Sequence, residues 1–134
     1  MKAATYSACA YETSGGVGIV FREVGGNLWV IDRSNNTRSN LMESTNATLA
    51  AGHPSCFVLN NEPHIVYRGS DKLIYDLSLH AGAWHVQQVC TVKAAADPVA
   101  TSNATTGLVA IRAADGAIQF AQFDGTSWTC TPTR

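Results

Sequence analysis

An apolar run closing on arginine is written three times in this chain: IVFRE at 19–23, IVYRGSD at 65–71 and VAIRAAD at 109–115. A long-period repeat constrains the fold more than any local propensity. Each copy must be one supersecondary unit that buries its apolar face against its neighbour. Laying Pro54 on Pro98 also lays Tyr67 on Ile111, Arg68 on Arg112, Asp71 on Asp115 and Trp84 on Trp128, all at one offset of 44 residues. Arg22 precedes Arg68 by 46 residues and Leu28 precedes Leu73 by 45, a drift of the size that loop insertions produce. Three units follow, at about 5–51, 52–95 and 96–134 of the 134 residues.

Each unit has the same grammar. A short strand (SACAY, SCFVL, PVATS) leads through a polar turn to a second strand that carries the arginine, and a turn with Gly or Asp leads to a third (NLWVID, KLIYDL, AIQFAQF). Units two and three pass through HAGAW and DGTSW into a fourth strand. Alternation at Leu73/Tyr75/Leu77 and Ile118/Phe120 is the period of a β-strand, and no helical periodicity runs for a useful length. Four short antiparallel strands in a unit of this size predict an all-β fold, a β-propeller of three four-stranded blades. A small β-sandwich is the bland alternative.

The residues carry a resemblance. YRGSDKLIYDL, preceded by HPSCFVLNNEPHIV and followed by a Trp, resembles the blades of the bacterial PLL-type propeller lectins. Unit three keeps the order with Arg112, Asp115, Ile118, Phe120 and Trp128. Unit one keeps Arg22, Leu28 and Trp29 but has Gly-Gly in place of the Asp. The fungal fucose-binding propeller lectins share a looser version, including the turn from Asp124 to Trp128. The resemblance implies a carbohydrate-binding lectin without enzymatic activity, with fucose-like, deoxy or methylated sugars held in clefts between blades.

Three blades do not close a ring, since propellers typically have four to eight. Two chains joined head to tail supply six blades and cover both open faces with one interface type. Self-association as a homodimer is therefore expected, with glycans or glycoconjugates as the other partner. A propeller scaffold for protein–protein interaction or inhibition is the alternative function.

Arg22, Arg68 and Arg112 have two readings. The guanidinium fork either braces a neighbouring blade or holds sugar hydroxyls. Trp84 and Trp128, each after a Gly-containing turn, either pack between blades or offer an indole face to a pyranose ring. Trp29, Tyr75 and Phe120 fall in third strands, with Trp29 one position out of register with Tyr75 in the alignment above. Tyr75 combines a ring with a hydroxyl. Among the histidines, His85 beside Trp84 is the best ligand contact. The expected ligand-binding set is thus Arg22, Arg68, Arg112, Trp84, Trp128, Trp29, Tyr75 and His85.

Charged residues are 14% of the chain and the net charge is −1, so no basic footprint for nucleic acid or an acidic membrane is present. No apolar run approaches the roughly 20 residues of a membrane span. No signal peptide is visible, which suits a cytoplasmic protein or one released without a signal. No GxSxG, HExxH or phosphate-cradling loop is found, and neither a cofactor nor a metal site is expected. The four cysteines, Cys9, Cys56, Cys90 and Cys130, lack zinc-ligand spacing. Without a secretion signal they are expected as reduced, buried thiols in preference to disulfides.

Overall fold

The computed structural model describes residues 3–132. Twelve strands form three antiparallel sheets of four, one after another along the chain. The first contains β1 (Ala3–Thr13), β2 (Gly16–Glu23), β3 (Leu28–Asp32) and β4 (Thr37–Asn40). After the helix α1 (Leu41–Thr45) come β5 (Ser55–Leu59), β6 (Glu62–Arg68), β7 (Ile74–His80) and β8 (Ala83–Gln88). The third sheet has β9 (Val99–Ser102), β10 (Gly107–Arg112), β11 (Ile118–Phe123) and β12 (Trp128–Pro132). Strand order within each sheet is sequence order, so each is an antiparallel meander of the kind that forms a blade. Helix α1 is a single turn that the strand pattern does not announce. The Asn40 carboxamide caps it by accepting from the backbone N–H groups of Met42 and Glu43, and Leu41 and Met42 are buried.

Alternation decides which side chains meet which blade. Ile65, Tyr67 and Leu77 on one face of the second sheet join Val20, Leu28 and Val30 of the first in a buried cluster. Val66 and Ile74 on the other face join Val109, Ile111 and Ala121 of the third. The strand that holds IVYR is thus buried on both sides, as a continuous apolar run demands. Burying an aliphatic or aromatic side chain contributes about 1.5–3 kcal/mol, so these two interfaces supply much of what holds the chain together.

The strand pairings correct the sequence register in one place. Arg22 faces Leu28 and Arg68 faces Ile74, so Leu28 corresponds to Ile74 and not to Leu73. Trp29, opposite Phe21, therefore corresponds to Tyr75, opposite Tyr67, and the two share a face. The loops after Arg22 and Arg68 have equal length; the extra residues lie elsewhere. Phe120, opposite Ala110, is on the other face of its sheet.

Backbone hydrogen bonds stitch each linker to the blades on both sides. Ala50 N–H donates to Gly26 C=O and Ala51 N–H to Arg68 C=O, each at 2.8 Å. In the next linker Ala94 N–H donates to Lys72 C=O and Ala95 N–H to Arg112 C=O, again at 2.8 Å. The Tyr67 hydroxyl donates to Thr48 C=O at 2.7 Å, and burial pushes its pKa upward, so it remains a donor.

The cysteines depart from expectation. Cys9 on β1 is bonded to Cys56 on β5, and Cys90, just past β8, to Cys130 on β12; both pairs have Cα atoms 5.9 Å apart. One bridge ties the innermost strands of blades one and two, the other the outer edges of blades two and three. Neither the spacing in sequence nor the repeat predicts them, because the partners lie in different units at non-equivalent positions. Thiol titration in denaturant without reductant should find no reactive thiol. The double variant Cys9→Ser/Cys56→Ser should lose about 2–4 kcal/mol of unfolding free energy in urea.

Candidate functional site

The two ends of the blades differ in what they offer. At the end where the second strand finishes, Arg22 Nη2 donates to Ala51 C=O at 3.4 Å, and Arg68 Nε pairs with Asp97 Oδ1 at 3.3 Å. Both partners lie in the linker to the following blade. Arg112, in the last blade, has an exposed side chain. The turn after the arginine is braced by aspartate. Asp71 accepts from Leu73 N–H and from the Tyr75 hydroxyl, and Asp115 from Ala117 N–H at 2.9 Å. Tyr75 also stacks on Tyr67 with ring centroids 5.6 Å apart.

The other end, about 13 Å away along the second strand at the ordinary rise per residue, holds the clefts. Three positions are equivalent by register: Gly18 faces Asp32, His64 faces Ser78 and Leu108 faces Gln122. Each pair lines a cavity. Between blades one and two, Tyr11, Thr13 and Asp32 face Asn61, Glu62 and Leu79 around a cleft of about 320 Å³. Between blades two and three, Glu62, His80, His85 and Gln87 face Phe123 and Thr126 around about 550 Å³. The second walls also correspond, since Leu79, Ala81 and Gly82 in one cleft become Phe123, Gly125 and Thr126 in the next.

The inner strand shapes each floor. Tyr11 lies across Gly18, where a Cβ would come within 2.1 Å of the tyrosine ring. Only glycine fits there. Burial, with the charge of Asp32 adding to it, raises the Tyr11 pKa and keeps its hydroxyl protonated. In the next blade Phe57 stacks flat on His64, centroids 4.6 Å apart, and His64 also packs on Phe123. The carboxylate of Asp76, fully buried, receives His64 Nδ1 at 2.8 Å and the indole N–H of Trp128 at 3.1 Å on the same oxygen. This polar knot joins blades two and three directly below the second cleft. At its rim His80 contacts Glu62 and sits 6.4 Å from His85.

The residues expected from sequence therefore divide. His85 lines the second cleft. Trp84 and Trp128 are half-buried in the packing between blades, Trp128 with its N–H engaged. Trp29 lies on the face of blade one that looks away from blade two, and Phe120 on the face of blade three that looks away from blade two. The three arginines and Tyr75 stand at the opposite end from the clefts. Sequence reasoning missed Tyr11, Asp32, Asn61, Glu62, His80 and Gln87. Their one signal is position, at the ends of strands beside the turns, where a recurring cleft does not require a recurring residue. Among the described residues no group of three or more His, Cys, Asp or Glu side chains is placed to hold a metal ion, and no helix is long and apolar enough to cross a membrane.

Comparison with known proteins places the fold. No family model matches the chain, and no curated sequence does. Among solved structures, a fucose lectin from Kordia zhangzhouensis in complex with methyl-fucoside superposes with a TM-score of 0.68 over 93% of this chain and 97% of that one, at 17% identity. The chain is thus all-β, built of three four-stranded antiparallel sheets, and has the fold of a bacterial lectin.

Asp76 is the test of the junction beneath the second cleft. Asp76→Ala leaves His64 and the Trp128 N–H without their acceptor, and each orphaned buried group costs about 1–3 kcal/mol. A loss of about 2–5 kcal/mol in urea unfolding is expected, with Trp128 fluorescence shifted by its changed surroundings.

Proposed function

We propose that the chain is a carbohydrate-binding lectin whose sugar sites are the clefts between successive blades, and that two copies join head to tail into a six-bladed ring. The observation that carries the reading is the recurrence of one cleft at each blade junction, on a fold shared with a fucose lectin. The cleft volumes suit a monosaccharide or two. In the second cleft Glu62 accepts from sugar hydroxyls, while Gln87, His85 and Thr126 offer further hydrogen bonds. Phe123, which lines the same cleft, gives an apolar contact for the C–H face or methyl group of a deoxy or methylated sugar. Such a site binds without turnover. Shallow sites of this kind gain strength when several engage one glycan-covered surface, because the second contact forms at high effective concentration.

Unmatched faces support the ring. Leu108, Ile118 and Phe120 of blade three are 40%, 42% and 41% exposed, yet they occupy the register of His64, Ile74 and Asp76, all buried against the next blade. Ile19 and Trp29 of blade one occupy the register of Ile65 and Tyr75, which pack against the preceding blade. Each open face is therefore the counterpart of one already buried within the chain. A second copy covers both. The recurring arginines are assigned here to bracing linkers between blades, since Arg22 and Arg68 each reach the linker that follows.

Light scattering should give about twice the 14.2 kDa of one chain, and Phe120→Arg should give a monomer. In calorimetric titration with methyl fucoside, Glu62→Gln and His85→Ala should each weaken binding about tenfold, roughly the worth of one hydrogen bond to a charged group. Arg68→Ala should lower stability while leaving sugar affinity within about twofold. A dimer that gives no signal on a broad glycan panel would sink the lectin reading in favour of a protein-binding scaffold.

A further inference from the structure

Two half-clefts remain on the open faces. On blade three, Thr101, Thr106, Leu108 and Gln122 line a concavity of about 320 Å³ that has one wall. Leu108 and Gln122 hold the register of His64 and Ser78, the first wall of the cleft between blades two and three. On blade one, Ile31, Arg33, Asn36 and Arg38 line another concavity of about 350 Å³. Arg33 holds the register of Leu79 and Phe123, so this is the second wall of the same kind of cleft. Arg38, opposite Ile31, holds the register of Val86, opposite Leu77, on the outermost strand of the blade. One chain carries both walls at its two ends and cannot bring them together.

We infer that these half-clefts meet across the junction between two copies to form a composite binding site for anionic saccharides, those bearing a carboxylate or sulfate. The inference rests on the head-to-tail ring proposed above and adds a ligand class to it. The chemistry of this junction differs from the two within the chain. Where those place Leu79 or Phe123, it places a guanidinium, with a second from Arg38. The facing wall, Thr101, Thr106, Leu108 and Gln122, contributes no charge. Arg33 Nη1 donates to Asn36 Oδ1 at 3.2 Å, which holds the head group at the rim with donors to spare. Asp32 is next in sequence, but it looks toward the other cleft and its carboxylate accepts from Ser34. A planar guanidinium matches a carboxylate or sulfate with paired hydrogen bonds. The cleft between blades one and two, by contrast, is lined by Asp32 and Glu62 and repels such ligands. The ring thus has two chemistries, neutral sugars within each chain and acidic ones between chains.

Three probes separate the possibilities: methyl fucoside, an oligogalacturonate whose anions are all carboxylates, and 6-sulfo-N-acetyllactosamine, whose anion is a sulfate. The wild-type dimer should bind at least one anionic probe, more weakly as salt rises, while binding of the fucoside is insensitive to salt. Arg33→Gln/Arg38→Gln should lower affinity for the anionic probe at least tenfold and leave the dimer and the fucoside affinity unchanged. Gln122→Glu, on the other wall, should do the same. The decisive measurement uses a heterodimer of these two variants, purified through two affinity tags. One of its junctions has both walls intact, so it should recover about half the wild-type capacity for the anionic probe. A heterodimer without recovery overturns the composite site, as does a dimer that binds the fucoside and neither anion. A monomer that binds the fucoside overturns the ring and the composite site with it, while the lectin reading stands.

Discussion

Burial of one blade's apolar face against the next is the interaction on which everything else in this molecule depends. A four-stranded meander cannot bury its apolar face by itself and needs another layer packed on it. Blade two shows the consequence, with Ile65, Tyr67 and Leu77 committed backward and Val66 and Ile74 committed forward. The linkers, the arginines and the disulfides all act on the same junctions. They fix the angle at which two faces meet, and so the width of the cleft that opens between the blade ends.

The two ends of the strands differ in what their side chains do. At one end Arg22 and Arg68 reach into linkers, with the Ala51 carbonyl and Asp97 as their partners. The turn end is left concave, and there side chains differ from junction to junction: Tyr11 over Gly18 in one, Phe57 on His64 in the next. The buried contacts between blades vary as well. The Asp76 knot is the clearest case. A fully buried carboxylate serves His64 and Trp128, although blades one and three have Val30 and Phe120 in its place.

The fold was largely legible before the structure. The thrice-written run, the turn spacing and the alternation in third strands lead to three four-stranded sheets. The site was much less so. Arg68 stands out in sequence because it recurs, and in the structure Arg22 and Arg68 each reach the linker that follows. Glu62, Gln87 and Tyr11 do not recur, so no repeat-based argument reaches them. The register error at Leu28 has a related cause, because leucine and isoleucine are interchangeable at a buried strand position and alignment by residue type slid by one.

The sequence by itself determined the period, the strand content and the fact that apolar faces are repeated on both sides of each unit. Those properties depend on neighbours a few residues apart, where alternation and turn chemistry act. Only the tertiary structure decided that Cys9 meets Cys56 and Cys90 meets Cys130, that Arg22 and Arg68 reach linkers, and that the clefts open at the opposite end. Each of these depends on the distance between residues some 30 to 50 positions apart, which is set by how blades are rotated against one another. A single strand's pattern carries no record of that rotation. The packed interface does.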